Sequence, residues 1–149
     1  MAVDHVELFV PNRFEAADWY LHRLGLHVVE AYLEWASHPE GPLMVAPEGG
    51  GPMLALFTGK PQSSRGAAGL HRVAFRTSAA GFLAFLEQLI AYPVHTASGE
   101  VTAEPRIVDH GRALSAYFHD PYGTPLEVTT YEPEPVRARL GMTPEHAEL

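Results

Sequence analysis

Val3-Asp4-His5-Val6-Glu7-Leu8-Phe9-Val10 alternates strictly, and Pro11-Asn12 ends the pattern. Val6, Leu8 and Val10 fall on one face and His5, Glu7 and Phe9 on the other, the period of a half-buried strand. From Arg13 the interval changes. Phe14, Ala17, Tyr20, Leu21 and Leu24 recur at helical spacing, with Asn12 placed to cap the start and Gly25 to stop the end. Three further strands are predicted over residues 27–35, 43–46 and 53–58, separated by the turns Pro39-Glu40-Gly41-Pro42 and Gly49-Gly50-Gly51-Pro52. The order is β-α-β-β-β.

A linker over residues 60–69, rich in Ser, Gly, Ala and Pro, precedes a restart of the same order. A strand is predicted over 72–77, with Val73, Phe75 and Thr77 on one face. A helix over 79–90 carries the stripe Phe82, Leu83, Phe85, Leu86 and Leu89. Strands are predicted over 104–109, 114–120 and 125–131, the last two broken apart by Pro121-Tyr122-Gly123. Two copies of one supersecondary unit in an α+β chain account for this pattern. Residues 132–149 hold three Pro and little periodicity, and are expected to form an extension, mobile or laid on a neighbour. Trp19, Tyr20, Phe82 and Phe85 are expected in helix cores, with Trp35, Phe9 and Tyr131 as candidates to line a pocket.

Composition narrows the function classes. The 149 residues include 10 Lys plus Arg against 18 Asp plus Glu, a formal charge of −8 with the nine His neutral. Phosphate binding needs a basic face, so no nucleic-acid partner is expected. The absence of Cys removes disulfides, Cys-ligated zinc, iron–sulfur clusters and thiol nucleophiles, and leaves nitrogen-and-oxygen metal chemistry open. No apolar run approaches the roughly 18 residues that span a bilayer, and the N-terminus lacks a basic start with an apolar stretch. A soluble cytoplasmic protein with no membrane partner is expected.

The chain resembles the vicinal oxygen chelate superfamily, the glyoxalase, bleomycin-resistance and extradiol-dioxygenase group. The likeness rests on residues 4–11 and 19–26 in the first copy, and on His71-Arg72-Val73-Ala74-Phe75 and residues 117–128 in the second. It implies one domain over 1–131, with modules at about 2–59 and 70–131 and the extension at 132–149. It also implies a curled mixed sheet around a central cavity with helices outside, and a homodimer. In that family the cavity holds a divalent metal that two substrate oxygens chelate.

Carried over residue by residue, the resemblance makes His5, His71 and Glu127 the metal ligands, with Fe(II) or Mn(II) as the ion. Two imidazoles and one carboxylate leave open positions for substrate and dioxygen. The family's second ligand directly precedes a Val-Ala-Phe-like run, which puts Arg72 at that position and His71 one residue early. Alternation likewise turns Arg72 to the cavity unless a bulge at Gly69-Leu70 restores His71. Ala55 stands where a glyoxalase has an acidic ligand, and Leu56-Phe57 where ring-cleaving enzymes carry a further acid–base His.

The second copy also resembles the extradiol signature. The pattern runs Val108-Asp109-His110, five residues, Ala116-Tyr117, two residues, Asp120-Pro121-Tyr122-Gly123, three residues and Glu127. The resemblance makes His110 and Tyr117 catalytic, an imidazole and a phenol able to exchange protons with a bound diolate. Glu7 is a candidate to support His5, while the remaining His are expected at the surface. The leading expectation is a dioxygenase-like divalent-metal enzyme acting on a small vicinal-oxygen molecule, aromatic ones included; the alternatives are a metal-free binder of the bleomycin-resistance kind, with an Arg72–Glu127 ion pair in the cup, and a glyoxalase-like lyase or isomerase.

Overall fold

The N-terminal alternation becomes strand β1 (His5–Val10), with Leu8 and Val10 buried and His5, Glu7 and Phe9 exposed. Helix α1 (Arg13–Leu24) starts on Asn12, whose side chain accepts from the Phe14 and Glu15 amides, and ends on Gly25 in the left-handed conformation (φ 65°). Its buried face differs from the predicted one. Ala16, Ala17, Trp19 and Tyr20 are buried, whereas Phe14 and Leu21 are exposed. The computed structural model describes residues 4–60 and 72–143, and the chain divides into two units, Met1–Ser64 and Arg65–Leu149.

In the first unit β2 (Leu26–Val28), β3 (Leu43–Pro47) and β4 (Met53–Thr58) complete a four-stranded sheet of order β1-β4-β3-β2, with β1 parallel to β4 and the other pairs antiparallel. The strand predicted over 27–35 is cut short by a 3-10 helix over Glu30–Ser37. Side chains three apart eclipse in a 3-10 helix, and Tyr32 stacks on Trp35 with ring centroids 4.5 Å apart at 17°. Arg13 donates to the carbonyls of Ala36, His38 and Gly41, satisfying the end of that helix with a cation where its dipole is negative. Tyr20, Leu43 and Leu56 are fully buried here.

The second unit repeats the plan with additions. Strand β5 (Val73–Arg76) leads to α2 (Ala79–Gln88), capped by the Ser78 hydroxyl on the Gly81 amide. Two short strands not predicted from the sequence follow, β6 (Val94–His95) and β7 (Val101–Thr102), and then β8 (Arg106–Asp109), β9 (Leu114–His119) and β10 (Pro125–Thr130). The sheet order is β5-β10-β9-β6-β7, with β8 also on β9; β5 and β10 are parallel and the rest antiparallel. The parallel first-to-last pairing matches that of the first unit. The architecture is α+β, with one mixed sheet per unit. Between β9 and β10 the buried Asp120 carboxylate accepts from the Tyr122 and Thr124 amides, and Gly123 takes a positive φ of 89°.

Leu114, Ala116 and Phe118 of β9, with Leu126 and Val128 of β10, form a buried face, and Phe118 lies 5.3 Å from Phe85 of α2 between ring centroids. The segment after Tyr131, expected as an extension, forms helix α3 (Pro133–Leu140). Little apolar periodicity was visible there because the helix buries only Pro133, Val136 and an arginine, Arg137. Among the described residues no helix is long and apolar enough to cross a membrane.

Candidate functional site

Strand register builds the site on the face of the second sheet opposite α2. Ala74, Glu127, Tyr117 and Arg106 stand in one row across β5, β10, β9 and β8. Arg72, two residues before Ala74, reaches the same side: its Nη1 lies 3.8 Å from the Glu127 carboxylate, and its guanidinium sits 4.4 Å over the Tyr117 ring. Arg106 approaches that ring at 5.8 Å. His110, from the loop after β8, is hydrogen-bonded through Nε2 to the Tyr117 hydroxyl at 2.8 Å. The two residues that the extradiol signature singled out are therefore in contact.

These groups border a cleft of about 480 Å³, which Arg72, His95, Glu104, Arg106, His110 and Tyr117 help to line. That volume suits one small molecule. Two buried polar atoms on its wall, Arg72 Nε and His95 Nδ1, have no hydrogen-bond partner. Buried donors and acceptors are normally satisfied, and leaving one unmade costs about 1–3 kcal/mol. The wall thus presents unmet polar groups beside two guanidiniums, in a chain whose net charge is −8.

His5 lies in the first unit. Its Nδ1 donates to Asp4 Oδ2 at 2.7 Å and its Nε2 is 3.6 Å from Glu7 Oε1. The Asp4 hydrogen bond holds the imidazole above its ordinary pKa, partial burial opposing and Glu7 adding to the rise. A smaller cleft of about 170 Å³ is lined by these three residues with Tyr32, Trp35 and Ala55. Phe9 and Tyr131 are exposed, the first 6.2 Å from Phe57 between ring centroids and the second 5.0 Å from the Arg76 guanidinium.

The expected metal set takes His5 from the first unit and Glu127 from the second, and its third member, His71, lies outside the described residues. Metal ligands must be neutral imidazoles and available carboxylates. His5 offers Nε2 while Asp4 orients the ring, an arrangement compatible with ligation. Glu127 is less suited, because a guanidinium already compensates its charge and would repel an incoming dication. Among the described residues no group of three or more His, Asp and Glu side chains is placed to hold a metal ion.

Sequence reasoning missed Arg106, His95 and His119 as wall residues of the larger cleft. Arg106 was legible in principle: a four-residue hairpin loop pairs Asp109 with Leu114, which sets Arg106 opposite Tyr117. His119 follows Tyr117 by two and shares its face, and His95 pairs with His119 across β6.

Comparison with known proteins gives the same architecture. No curated protein matches the chain. Among solved structures, the fosfomycin resistance protein FosX from Listeria monocytogenes aligns over 91% of this chain and 98% of its own, with a TM-score of 0.64 at 14% identity. A glyoxylase/bleomycin resistance protein/dioxygenase domain from Frankia sp. EAN1pec gives 0.64 at 18% identity over 89% and 93%. Oxidase ChaP-H2 gives 0.60 at 23% identity over 87% and 93%. At these identities the likeness concerns the fold. The family's members commonly use divalent metals, bind small-molecule substrates and form dimers. The profile of the Glyoxalase/Bleomycin resistance protein/Dioxygenase superfamily matches residues 2–128, and the chain belongs to that superfamily.

Proposed function

We propose that the protein is a metal-independent binder of small anionic aromatic molecules, a role of the bleomycin-resistance kind, and that the cleft of the second unit receives the ligand. The observation that carries this reading is the Arg72 guanidinium, set between Glu127 and the Tyr117 ring with its buried Nε unpartnered. A planar guanidinium matches a carboxylate or diolate, and its stacked position leaves an apolar surface beside the charge for an aromatic ring. Arg106 supplies a second cation and the His110–Tyr117 pair a proton donor.

Salicylate, an aromatic anion with neighbouring oxygens, is the first probe. Thermal-shift assays should show stabilisation that survives EDTA and disappears in Arg72→Met. Indifference to salicylate and to other aromatic carboxylates, together with stabilisation by Mn(II) or Fe(II) that His5→Ala abolishes, would refute the binding role.

The 2.8 Å contact between His110 and Tyr117 favours a second reading, a dioxygenase-like enzyme in which this pair moves a proton at the substrate and His5, His71 and Glu127 hold Fe(II) or Mn(II). Catechol-dependent dioxygen uptake after Fe(II) reconstitution, lost in His110→Ala, would replace the first reading with this one.

A further inference from the structure

The loop that carries His110 is held by the C-terminal helix through one side chain. Arg137 Nε donates to Asp109 Oδ2 at 2.7 Å, and Nη2 donates to Asp109 Oδ1 at 2.7 Å and to the Gly111 carbonyl at 2.6 Å. Both chain neighbours of His110 are thus bound by a single guanidinium. The Gly111 amide in turn donates to Asp109 Oδ1 at 2.8 Å, and the His110 amide to the Ala113 carbonyl at 2.9 Å, so the loop closes on itself around the same carboxylate. The side chains are sheltered, Asp109 at 3% and Arg137 at 11% exposure.

Helix α3 is anchored to deliver this contact. Its start follows Glu132, whose carboxylate accepts from the Ala79 amide at the head of α2, and Val136, the residue before Arg137, is fully buried. A bidentate arginine–carboxylate pair fixes orientation as well as distance, which a single ammonium contact does not.

We propose that Arg137 is a positioning residue for His110: by clamping Asp109 and Gly111 it sets the imidazole against Tyr117 and fixes where the proton donor of the cleft stands. This inference rests on the ligand-binding reading for its consequence, though the positioning itself is a property of the free protein. A misplacement near 1 Å from a change remote from the chemistry is enough to cost about 10²-fold in the rate of a reacting group. Arg137 touches no ligand in this account and acts only through the loop.

The test reads His110 directly, by the imidazole carbon–proton resonance of histidine-labelled full-length protein, assigned with His110→Ala. In Arg137→Gln and Arg137→Lys the resonance should move toward its position in Tyr117→Phe, where the hydrogen bond is absent. In Leu43→Ala, which removes a fully buried side chain of the first unit and leaves α3 and the clamp untouched, it should stay in place, so that loss of stability alone is separated from loss of positioning. Salicylate Kd should rise in Arg137→Lys as the His110–Tyr117 donor is displaced. A His110 resonance at its wild-type position in folded Arg137→Gln, or an equal shift in Leu43→Ala, would overturn the proposal. If Arg137→Gln does not fold, Arg137→Lys decides by the same criterion. Should the wild-type protein bind neither salicylate nor other aromatic carboxylates, the binding reading fails, while the resonance in the free protein still tests the clamp.

Discussion

Removing Arg72 and Glu127 singly and together measures whether the cleft is built around an ion pair. At 3.8 Å the gross attraction is about 4 kcal/mol for an effective dielectric constant near 20. The side chains are 32% and 16% exposed, so screening and desolvation cancel most of it, leaving a coupling of about 1 kcal/mol. The coupling, rather than either single loss, is the quantity to read. Arg72→Met also removes the buried Nε that lacks a partner, which offsets part of its cost, and Glu127→Gln leaves the guanidinium without a counter-charge. Urea denaturation of wild type, Arg72→Met, Glu127→Gln and the double variant gives the cycle. The ligand should respond more strongly than stability does. A charge-assisted hydrogen bond is worth about 1.5–3 kcal/mol, so salicylate Kd should rise at least about tenfold in Arg72→Met. A coupling near zero, combined with Mn(II) stabilisation of the wild type that Glu127→Gln removes, would show that Glu127 serves a metal and that the reasoning is wrong.

Three further outcomes follow from the fold. Leu126→Ala should destabilise by about 3–4 kcal/mol, seen as a lowered urea midpoint, because Leu126 is fully buried opposite Phe118. Gly25→Ala should cost about 1–2 kcal/mol through backbone strain alone, since φ is 65° and an added Cβ meets nothing within 4 Å; an unchanged thermal midpoint would contradict it. Asp109 sits below the ordinary carboxylate pKa because of the Arg137 hydrogen bonds, with the Gly111 amide assisting and burial opposing. Its contribution is therefore complete above the unfolded value of about 3.9 and is lost as pH falls through the folded one. Urea midpoints of wild type and Asp109→Asn should differ clearly at pH 6, and the difference should shrink progressively as pH is lowered below about 3.9.

Much of this was legible in the chain. Period two in β1 and period 3.6 in α1, punctuated by Asn12 and Gly25, gave the start of each element, and the repeated order gave the two-unit plan. Reading failed where two periods fit the same letters. Residues 30–37 carry aromatics three apart, which satisfies a 3-10 helix as well as a ragged strand, and the carbonyls that decide the matter are satisfied by Arg13, remote in sequence. Helix α3 escaped for a related reason: part of its buried face is an arginine whose acceptors lie 26 and 28 residues earlier. At the site, Arg72 and Glu127 were paired by pattern and are paired in space, and His110 meets Tyr117. The clamp on His110 could not be found by motif, because the arginine that makes it lies beyond the matched segment, 28 residues after Asp109.

The Tyr32–Trp35 stack and the buried Trp19 also divide the molecule optically. Both tryptophans of the chain fall in the first unit, one buried and one 42% exposed, and the second unit has none. Tryptophan emission therefore follows the unfolding of the first unit, while tyrosine absorbance adds the second, where Tyr117 and its neighbours lie. Coincident transitions by the two signals would make the repeated modules one cooperative folding unit. Separated transitions would let the stability of the second module be assigned on its own, without introducing a label.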